Sequence, residues 1–105
     1  MKRQTQILEA IRSALEAAYG SRFRRIVLYG SEARGEARAD SDIDVLVLLD
    51  QVADYGVELR RCLDVLYPLA LQLDRPISAT PVAAQEYETV ECPLYRRVHQ
   101  EGIAA

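Results

Sequence analysis

The sequence predicts an α/β (α+β) protein, and two kinds of apolar pattern carry that prediction. Residues 4–19 place apolar side chains at steps of three and four, which is typical of an amphipathic helix. Residues 26–29 and 43–49 are short apolar runs rich in β-branched side chains, as expected for buried strands. With the later patterns, the predicted order is helix, strand, strand, helix, strand, helix. Because the chain has 105 residues, we expect one domain over residues 1–105, and the half of them that are hydrophobic are enough for a compact core.

The second half of the chain supplies the remaining elements. Residues 52–73 carry an apolar stripe that predicts a long helix. Because Pro68 removes a backbone hydrogen bond, we expect this helix to end or kink after Tyr67. Residues 75–82 predict a third strand, and the prolines near both of its ends suit the edge of a sheet. The last predicted elements are one or two helical turns over 83–89 and a helix over 94–101, opened by Pro93 and ended by Gly102.

The charge of the chain limits the partners it is expected to bind. The formal net charge is -3 and the isoelectric point about 5.1. A general nucleic-acid-binding protein would instead carry a basic surface. One basic cluster precedes the first strand, formed by Arg22, Arg24 and Arg25. This cluster is either a patch for a nucleotide or a tRNA, or a solvated entrance to the strand, and we favour the second interpretation.

The cysteines and the apolar runs predict where the protein resides. Cys62 and Cys92 are far apart and lack metal-ligand spacing, so we expect free thiols in a reducing cytoplasm. Residues 1–20 lack the continuous apolar segment of a signal peptide. No apolar run approaches the length that a membrane-spanning helix needs. The sequence therefore predicts a soluble cytoplasmic protein.

A glycine turn opens the candidate functional site, which lies within residues 26–49. Gly30 ends the first strand and allows a sharp turn with close approach of the backbone to another group. Ser31 is placed to cap a short helix over residues 32–34, and the free N–H groups of such a helix suit a phosphate. Arg34 and Arg38 lie nearby as candidate charge partners. These features predict an anion-binding turn.

Two aspartates at the head of the second strand predict a metal site. Asp42 and Asp44 are two residues apart, so in a strand their carboxylates lie on the same face. The two charges repel each other, and each resists desolvation. A divalent cation would remove both problems, and oxygen ligands favour Mg²⁺ or Mn²⁺. The alternative interpretation is that Asp42 lies in a turn and Asp44 on the surface of an edge strand.

The order and spacing of these residues resemble a known signature. Gly30-Ser31, ten further residues and then Asp42-Ile43-Asp44 are similar to the GS…DxD signature of the DNA polymerase β-like nucleotidyltransferases. The fuller pattern, which adds Gly35 and Ser41, resembles the minimal nucleotidyltransferase (MNT) branch. The resemblance is tight over residues 26–49 and loose over most of the chain.

This resemblance implies a fold, an activity and a partner. The fold is the polymerase β-like nucleotidyltransferase fold, a small mixed β-sheet of three to four strands with helices packed on it. The activity is transfer of AMP from ATP to a hydroxyl, with Mg²⁺ or Mn²⁺ as cofactor. Asp42 and Asp44 would be catalytic and hold the metal, Gly30 and Ser31 would bind phosphates, and Arg34 would either neutralise the triphosphate or pack on the helix surface. MNT proteins often act as antitoxins of a HEPN-domain toxin, which implies a hetero-oligomer and a toxin tyrosine as acceptor.

The sequence departs from the family pattern at one position. The family usually carries a third carboxylate on the next strand, as metal ligand and base. Residues 75–82 contain no Asp or Glu, and the nearest acidic residue is Asp74. Asp74 either reaches the site from an extended strand or, as we favour, is a surface residue at the end of a helix. The alternative function is therefore a catalytically weak or inactive antitoxin, or a subunit, that neutralises a helical partner by binding.

Overall fold

The computed structural model describes residues 3–38 and 40–105. Residues 1, 2 and 39 lie outside the described residues, although the predicted domain 1–105 includes them. Ala39 is also part of the loop predicted between the first two strands. The helices and strands are α1 (Arg3–Tyr19), a 3₁₀ turn (Gly20–Arg22), β1 (Phe23–Tyr29), β2 (Ile43–Leu49), α2 (Tyr55–Leu73), β3 (Ile77–Ala83), α3 (Ala84–Thr89), α4 (Pro93–Glu101) and β4 (Ile103–Ala104).

Four strands form one mixed sheet in the order β3-β2-β1-β4. β1 pairs antiparallel with both β2 and β4, whereas β2 and β3 run parallel. The parallel pair needs a long crossover connection, and α2 supplies it. The predicted mixed sheet of three to four strands is confirmed, and β3 lies at an edge as its prolines indicated.

Helices cover both faces of the sheet, and β2 is the strand that they bury most completely. Alternate side chains of β2 pack on opposite sides. One side meets α1 and α2 through Ile43, Val45, Val47 and Leu49. The other side meets α3 and α4 through Leu46 and Leu48. Every residue of β2 is buried except Asp44, which is half-buried at the head of the strand on the α3 and α4 side.

α2 differs from its prediction at both its start and its proline. It begins at Tyr55 rather than at residue 52, because the side chain of Asp54 caps it by accepting a hydrogen bond from the N–H of Val57 at 3.2 Å. The expected end or kink after Tyr67 is wrong, since the helix continues through Pro68 to Leu73. Pro68 lies on the exposed face, where water can solvate the carbonyl that loses its partner, while buried side chains hold the opposite face.

The sheet extends beyond the predicted strands at two places. β1 begins at Phe23, three residues before the predicted start, and its first arginines are exposed. β4 has no counterpart in the predicted order, because two residues carry too little pattern to be recognised. It forms because the backbones of Ile26 and Ala105 exchange hydrogen bonds of 2.8 and 2.9 Å.

The predicted basic cluster spans the 3₁₀ turn and the start of β1, and two of its three arginines pair with acidic side chains. Arg22 contacts Asp50 at 3.2 Å and Glu58 at 2.6 Å. Arg25 contacts Glu88 at 2.6 Å. These ion pairs favour the solvated strand entrance over a nucleic-acid patch.

The expectation of free thiols is met within residues 3–38 and 40–105. Both Cys62 and Cys92 are free thiols, and Cys62 is buried. None of the helices described there has the length and apolar character required to cross a bilayer.

Candidate functional site

The pairing of β1 with β2 brings the glycine turn and the second aspartate together. Tyr29, the last residue of β1, lies opposite Asp44 in the antiparallel register. Gly30 follows at once with a φ of +76°. A Cβ atom on Gly30 would lie 2.6 Å from Oδ2 of Asp44. Glycine suits this position, because a side chain would strain the left-handed backbone and would force the carboxylate of Asp44 to shift.

The segment after Gly30 forms a series of turns instead of the predicted short helix over residues 32–34. The N–H of Arg34 donates to the carbonyl of Gly30 at 3.2 Å, and that of Glu36 to the carbonyl of Ser31 at 2.9 Å. The turns stop at Gly35, whose φ of +73° is incompatible with a continuing right-handed helix. Residues 30 and 31 are named the Gly30–Ser31 turn below.

The Gly30–Ser31 turn already binds an anion from its own chain. The N–H of Gly30 donates to Oε1 of Glu101 at 3.1 Å. The guanidinium of Arg34 contacts both oxygens of the same carboxylate, at 3.2 and 3.3 Å. A backbone N–H and an arginine thus converge on one carboxylate, and phosphate oxygens use the same kinds of donor. The turn and Arg34 together therefore have the donor set of an anion-binding site.

Arg34 lies beside the turn and is held by exposed ion pairs. Its Nε atom contacts Glu36 at 2.6 Å, and its Nη1 atom contacts Glu101. The carboxylate of Glu36, and then that of Glu101, raises the pKa of Arg34. Exposed ion pairs contribute little free energy. Arg34 can therefore exchange these partners for another anion at small cost.

The electrostatics of the two aspartates favour a bound cation. Asp42 is exposed just before β2, and Asp44 is half-buried as its second residue. Burial raises the pKa of Asp44, the charge of Asp42 raises it further, and Arg34 partly opposes the shift. Carboxylate oxygens are the ligands that Mg²⁺ and Mn²⁺ prefer. The donor set fits such an ion, with its remaining ligands taken from water and phosphate.

A third carboxylate does not join this pair. The residue of β3 in register with Asp44 is Ser78, and β3 contains no acidic residue. Asp74 ends α2 in a left-handed conformation, with a φ of 54°, and lies outside β3. Within the described part of the chain, no group of three His, Cys, Asp or Glu residues is placed to hold a metal.

Asp74 instead borders an apolar groove of about 530 Å³ between α2 and the start of β3. The groove is lined by Leu63, Leu66, Tyr67, Ala70, Leu71, Asp74, Arg75, Pro76 and Ile77. The favoured interpretation of Asp74 as a residue at the end of a helix agrees with this placement, since its side chain is exposed there.

Sequence reasoning missed three residues that shape the site. Glu101 comes from the far end of the chain, and no local pattern links it to Gly30. Glu32 and Arg75 form a buried ion pair behind the turn. A charged residue in a loop usually remains in solvent, so their burial has no signal in the sequence.

The strand-turn-strand unit combines an anion-binding turn with two aspartates, and these groups suit a nucleotide phosphate and a divalent cation. The model of the nucleotidyltransferase domain matches residues 8–103. The chain therefore belongs to the nucleotidyltransferase domain family. The family indicated by the residues from Gly30 to Asp44 is confirmed.

Two relatives share much of the sequence. One, from Methanocaldococcus jannaschii, is named as a protein adenylyltransferase, is 29% identical over 90 residues, and aligns with 86% of this chain and 85% of its own length. The other, protein adenylyltransferase MntA of Thermococcus cleftensis, is 36% identical over 69 residues. That alignment covers 64% of this chain and 68% of the relative.

Solved structures share the fold. A crystal structure of a toxin-antitoxin with AMP-PNP has a TM-score of 0.65 at 20% identity, over 98% of this chain and 72% of that one. A tyrosine-to-alanine mutant of the toxin-antitoxin MntA-HpeT has a TM-score of 0.64 at 20% identity, over 100% of this chain and 72% of that one. At this identity the likeness establishes the fold alone, and it confirms the fold class predicted above.

The geometry of the turn predicts that Gly30→Ala is more damaging than Gly20→Ala. Both glycines have positive φ, +76° and +59°, so each substitution introduces backbone strain of about 1–2 kcal/mol. A Cβ on Gly20 meets no atom within 4 Å, whereas one on Gly30 meets Asp44 at 2.6 Å. We expect the free energy of unfolding, measured with urea, to fall further for Gly30→Ala. Equal losses would show that the contact with Asp44 relaxes without cost.

The raised pKa of Asp44 predicts that Asp44→Asn stabilises the protein when no divalent metal is present. A carboxyl whose folded pKa lies above its unfolded value binds protons more tightly in the folded state. Stability is therefore lost as the pH rises from the unfolded pKa through the folded pKa of Asp44. We expect a higher unfolding temperature for Asp44→Asn at pH 7 in EDTA, with the advantage shrinking as the pH falls. A lower unfolding temperature at pH 7 would contradict the inferred repulsion.

Proposed function

We propose that this protein is a Mg²⁺-dependent nucleotidyltransferase that moves AMP from ATP to a hydroxyl of a partner protein, and that it acts in this way as an antitoxin. One observation carries the proposal. The Gly30–Ser31 turn, with a donor set for anions, lies directly against Asp44. A triphosphate held by the turn would therefore have its phosphates beside the two candidate metal ligands.

The relatives support the choice of nucleotide and of partner. Two of them are named protein adenylyltransferases, which indicates ATP as donor and a protein as acceptor. The structural neighbours are toxin-antitoxin complexes, one of them with AMP-PNP. We infer that the acceptor is a tyrosine of a HEPN-domain toxin and that the two proteins form a hetero-oligomer. Use of ATP also agrees with the predicted cytoplasmic location.

Each predicted site residue has a proposed role. Asp42 and Asp44 would hold the metal, which when bound would stabilise the attacking and leaving oxygens. The Gly30–Ser31 turn would bind the β- and γ-phosphates, and Arg34 would neutralise part of their charge. Glu101 occupies the N–H of Gly30 and pairs with Arg34. The triphosphate would therefore displace the carboxylate of Glu101 from both donors.

The transfer itself is a displacement at the α-phosphorus of ATP. The hydroxyl oxygen of the acceptor forms a bond to that phosphorus, and the bond to the bridging oxygen of the β-phosphate breaks. AMP remains on the acceptor, and pyrophosphate leaves. Because β3 offers no carboxylate beside Asp44, the hydroxyl proton would pass to a phosphate oxygen of the substrate or to water.

Replacement of either aspartate is expected to abolish transfer. The experiment supplies α-phosphate-labelled ATP and Mg²⁺ to a lysate of the source cell, with wild type, Asp42→Asn or Asp44→Asn. We expect one labelled protein band with wild type and none with either variant, since each variant removes a metal-ligating oxygen. Asp64→Asn, a change on the exposed side of α2, is the matched control and should retain the band.

Other patterns of label would contradict parts of the proposal. Retention of the band in both aspartate variants would exclude the assigned metal site. Label in RNA would make the acceptor a tRNA-like molecule instead of a protein.

A second candidate function is neutralisation of the partner by binding alone. The observation that favours it is the register of Asp44 with Ser78, which leaves the pair of carboxylates without a third. On this hypothesis the Asp42→Asn and Asp44→Asn proteins would still neutralise the toxin. On the transferase hypothesis both would fail to protect cells that express it.

The same register predicts that Ser78→Asp strengthens the metal site. Neighbouring strands are about 4.8 Å apart, so a carboxylate at residue 78 would lie beside that of Asp44. We expect tighter binding of Mn²⁺ and faster transfer at low metal concentration, with a lower unfolding temperature in EDTA because a third negative charge is added. Ser78→Asn is the control of equal size without charge. If both variants bind Mn²⁺ like wild type, residue 78 does not face the metal.

A further inference from the structure

One buried ion pair holds the start of the loop between β1 and β2. Nη1 of Arg75 lies 2.6 Å from Oε1 of Glu32. Only 3% of Arg75 and 5% of Glu32 are exposed. The approach is off the N–H axis, so the contact is an ion pair rather than a linear hydrogen bond. Since Glu32 directly follows the Gly30–Ser31 turn, the pair anchors the loop at its phosphate-binding end.

The same guanidinium also reaches the other end of the loop. Nε of Arg75 donates to the backbone carbonyl of Ser41 at 2.8 Å. Ser41 immediately precedes Asp42. One side chain thus contacts both the residue after the turn and the residue before the first candidate metal ligand. The planar guanidinium has N–H groups that point in two fixed directions and can contact both residues at once. The ammonium group of lysine lacks this fixed arrangement of donors.

The backbone that carries Arg75 is fixed by the end of α2. Asp74 adopts the left-handed conformation of a helix C-cap. The N–H groups of Asp74 and Arg75 donate to carbonyls of the last turn of α2, at 3.2 and 3.1 Å. From the other side, the Gln4 side chain of α1 donates to the carbonyl of Glu32. The loop is therefore tied to two helices that bear none of the proposed ligands.

We propose that Arg75 and Glu32 are positioning residues for the transfer reaction, and that the guanidinium of Arg75, paired with Glu32 and bonded to Ser41, sets the separation between the Gly30–Ser31 turn and Asp42. This inference rests on the proposed function. Stability alone does not account for the pair, because apolar side chains of similar volume are often as stable as a buried ion pair. The pair would act through the backbone of the loop, without touching the nucleotide or the metal.

The double variant Glu32→Leu/Arg75→Met tests this role. A single substitution would leave one buried charge without its partner and unfold part of the molecule, whereas the double variant keeps the volume and removes both charges. Three properties of the double variant are compared with those of wild type. The first two are the unfolding temperature and the amide hydrogen exchange of residues 40–42 in the metal-free protein. The third is the affinity for Mn²⁺ in the presence of AMP-PNP, measured from the electron paramagnetic resonance signal of free Mn²⁺. We expect a similar unfolding temperature, faster exchange, and an affinity roughly 10- to 100-fold lower.

Two control variants separate position from charge. Arg75→Lys retains a cation opposite Glu32 but loses the N–H that reaches Ser41, so its affinity should fall between those of wild type and the double variant. Arg25→Gln/Glu88→Gln removes an exposed ion pair with the same 2.6 Å separation, which joins β1 to α3. This second control should leave the exchange and the affinity unchanged.

The outcomes distinguish this inference from the proposed function. A double variant with wild-type exchange and wild-type affinity would overturn the positioning role, even if the wild-type protein is fully active. A wild-type protein that binds Mn²⁺ and AMP-PNP but transfers no label would overturn the transferase activity. In that case a lower affinity of the double variant would still support the positioning role.

Discussion

The antiparallel pairing of β1 with β2 is the constraint on which the site depends. It places the last residue of β1 opposite Asp44, so that Gly30 meets the carboxylate with no room for a side chain. A shift of one residue in this register would turn Asp44 to the other face of the sheet. The apolar residues of β2 prevent such a shift, because every one of them is buried against a helix layer. The packing of the core therefore sets the positions of Gly30 and Asp44 relative to each other.

The helices contribute to the site through their ends rather than through their faces. The end of α2 presents Arg75 to the loop, and the end of α4 presents Glu101 to the Gly30–Ser31 turn. The helices themselves pack on the sheet through apolar side chains. The ends of α2 and α4 thus hold the backbone of the loop and the turn, while the turn itself remains at the surface.

The sequence predicted those elements of the structure that depend on residues close together in the chain. The apolar run of β2 and the glycine before Ser31 predicted the strand-turn-strand unit and the two aspartates beside it. The family signature then supplied the mixed sheet, which local patterns alone do not specify. Three features escaped prediction because they depend on contacts between distant parts of the chain: the pairing of β4, the burial of Arg75 with Glu32, and the carboxylate of Glu101 in the turn. Pro68 was misread because its effect on a helix depends on whether its face is exposed.

The energetics of the site favour an enzyme over a protein that only binds. Asp44 is a half-buried carboxylate whose ionised form is opposed by burial and by Asp42, so at neutral pH it lowers the stability of the metal-free fold. Features that reduce stability are typical of functional sites, where activity compensates for them. A surface that only binds a partner requires no such charge at the head of its central strand, nor a turn that holds an anion beside it. The serine at residue 78, where a third carboxylate would lie beside Asp44, concerns the proposed proton acceptor and the proposed metal site, and it does not change the anion-binding donors of Gly30 and Arg34.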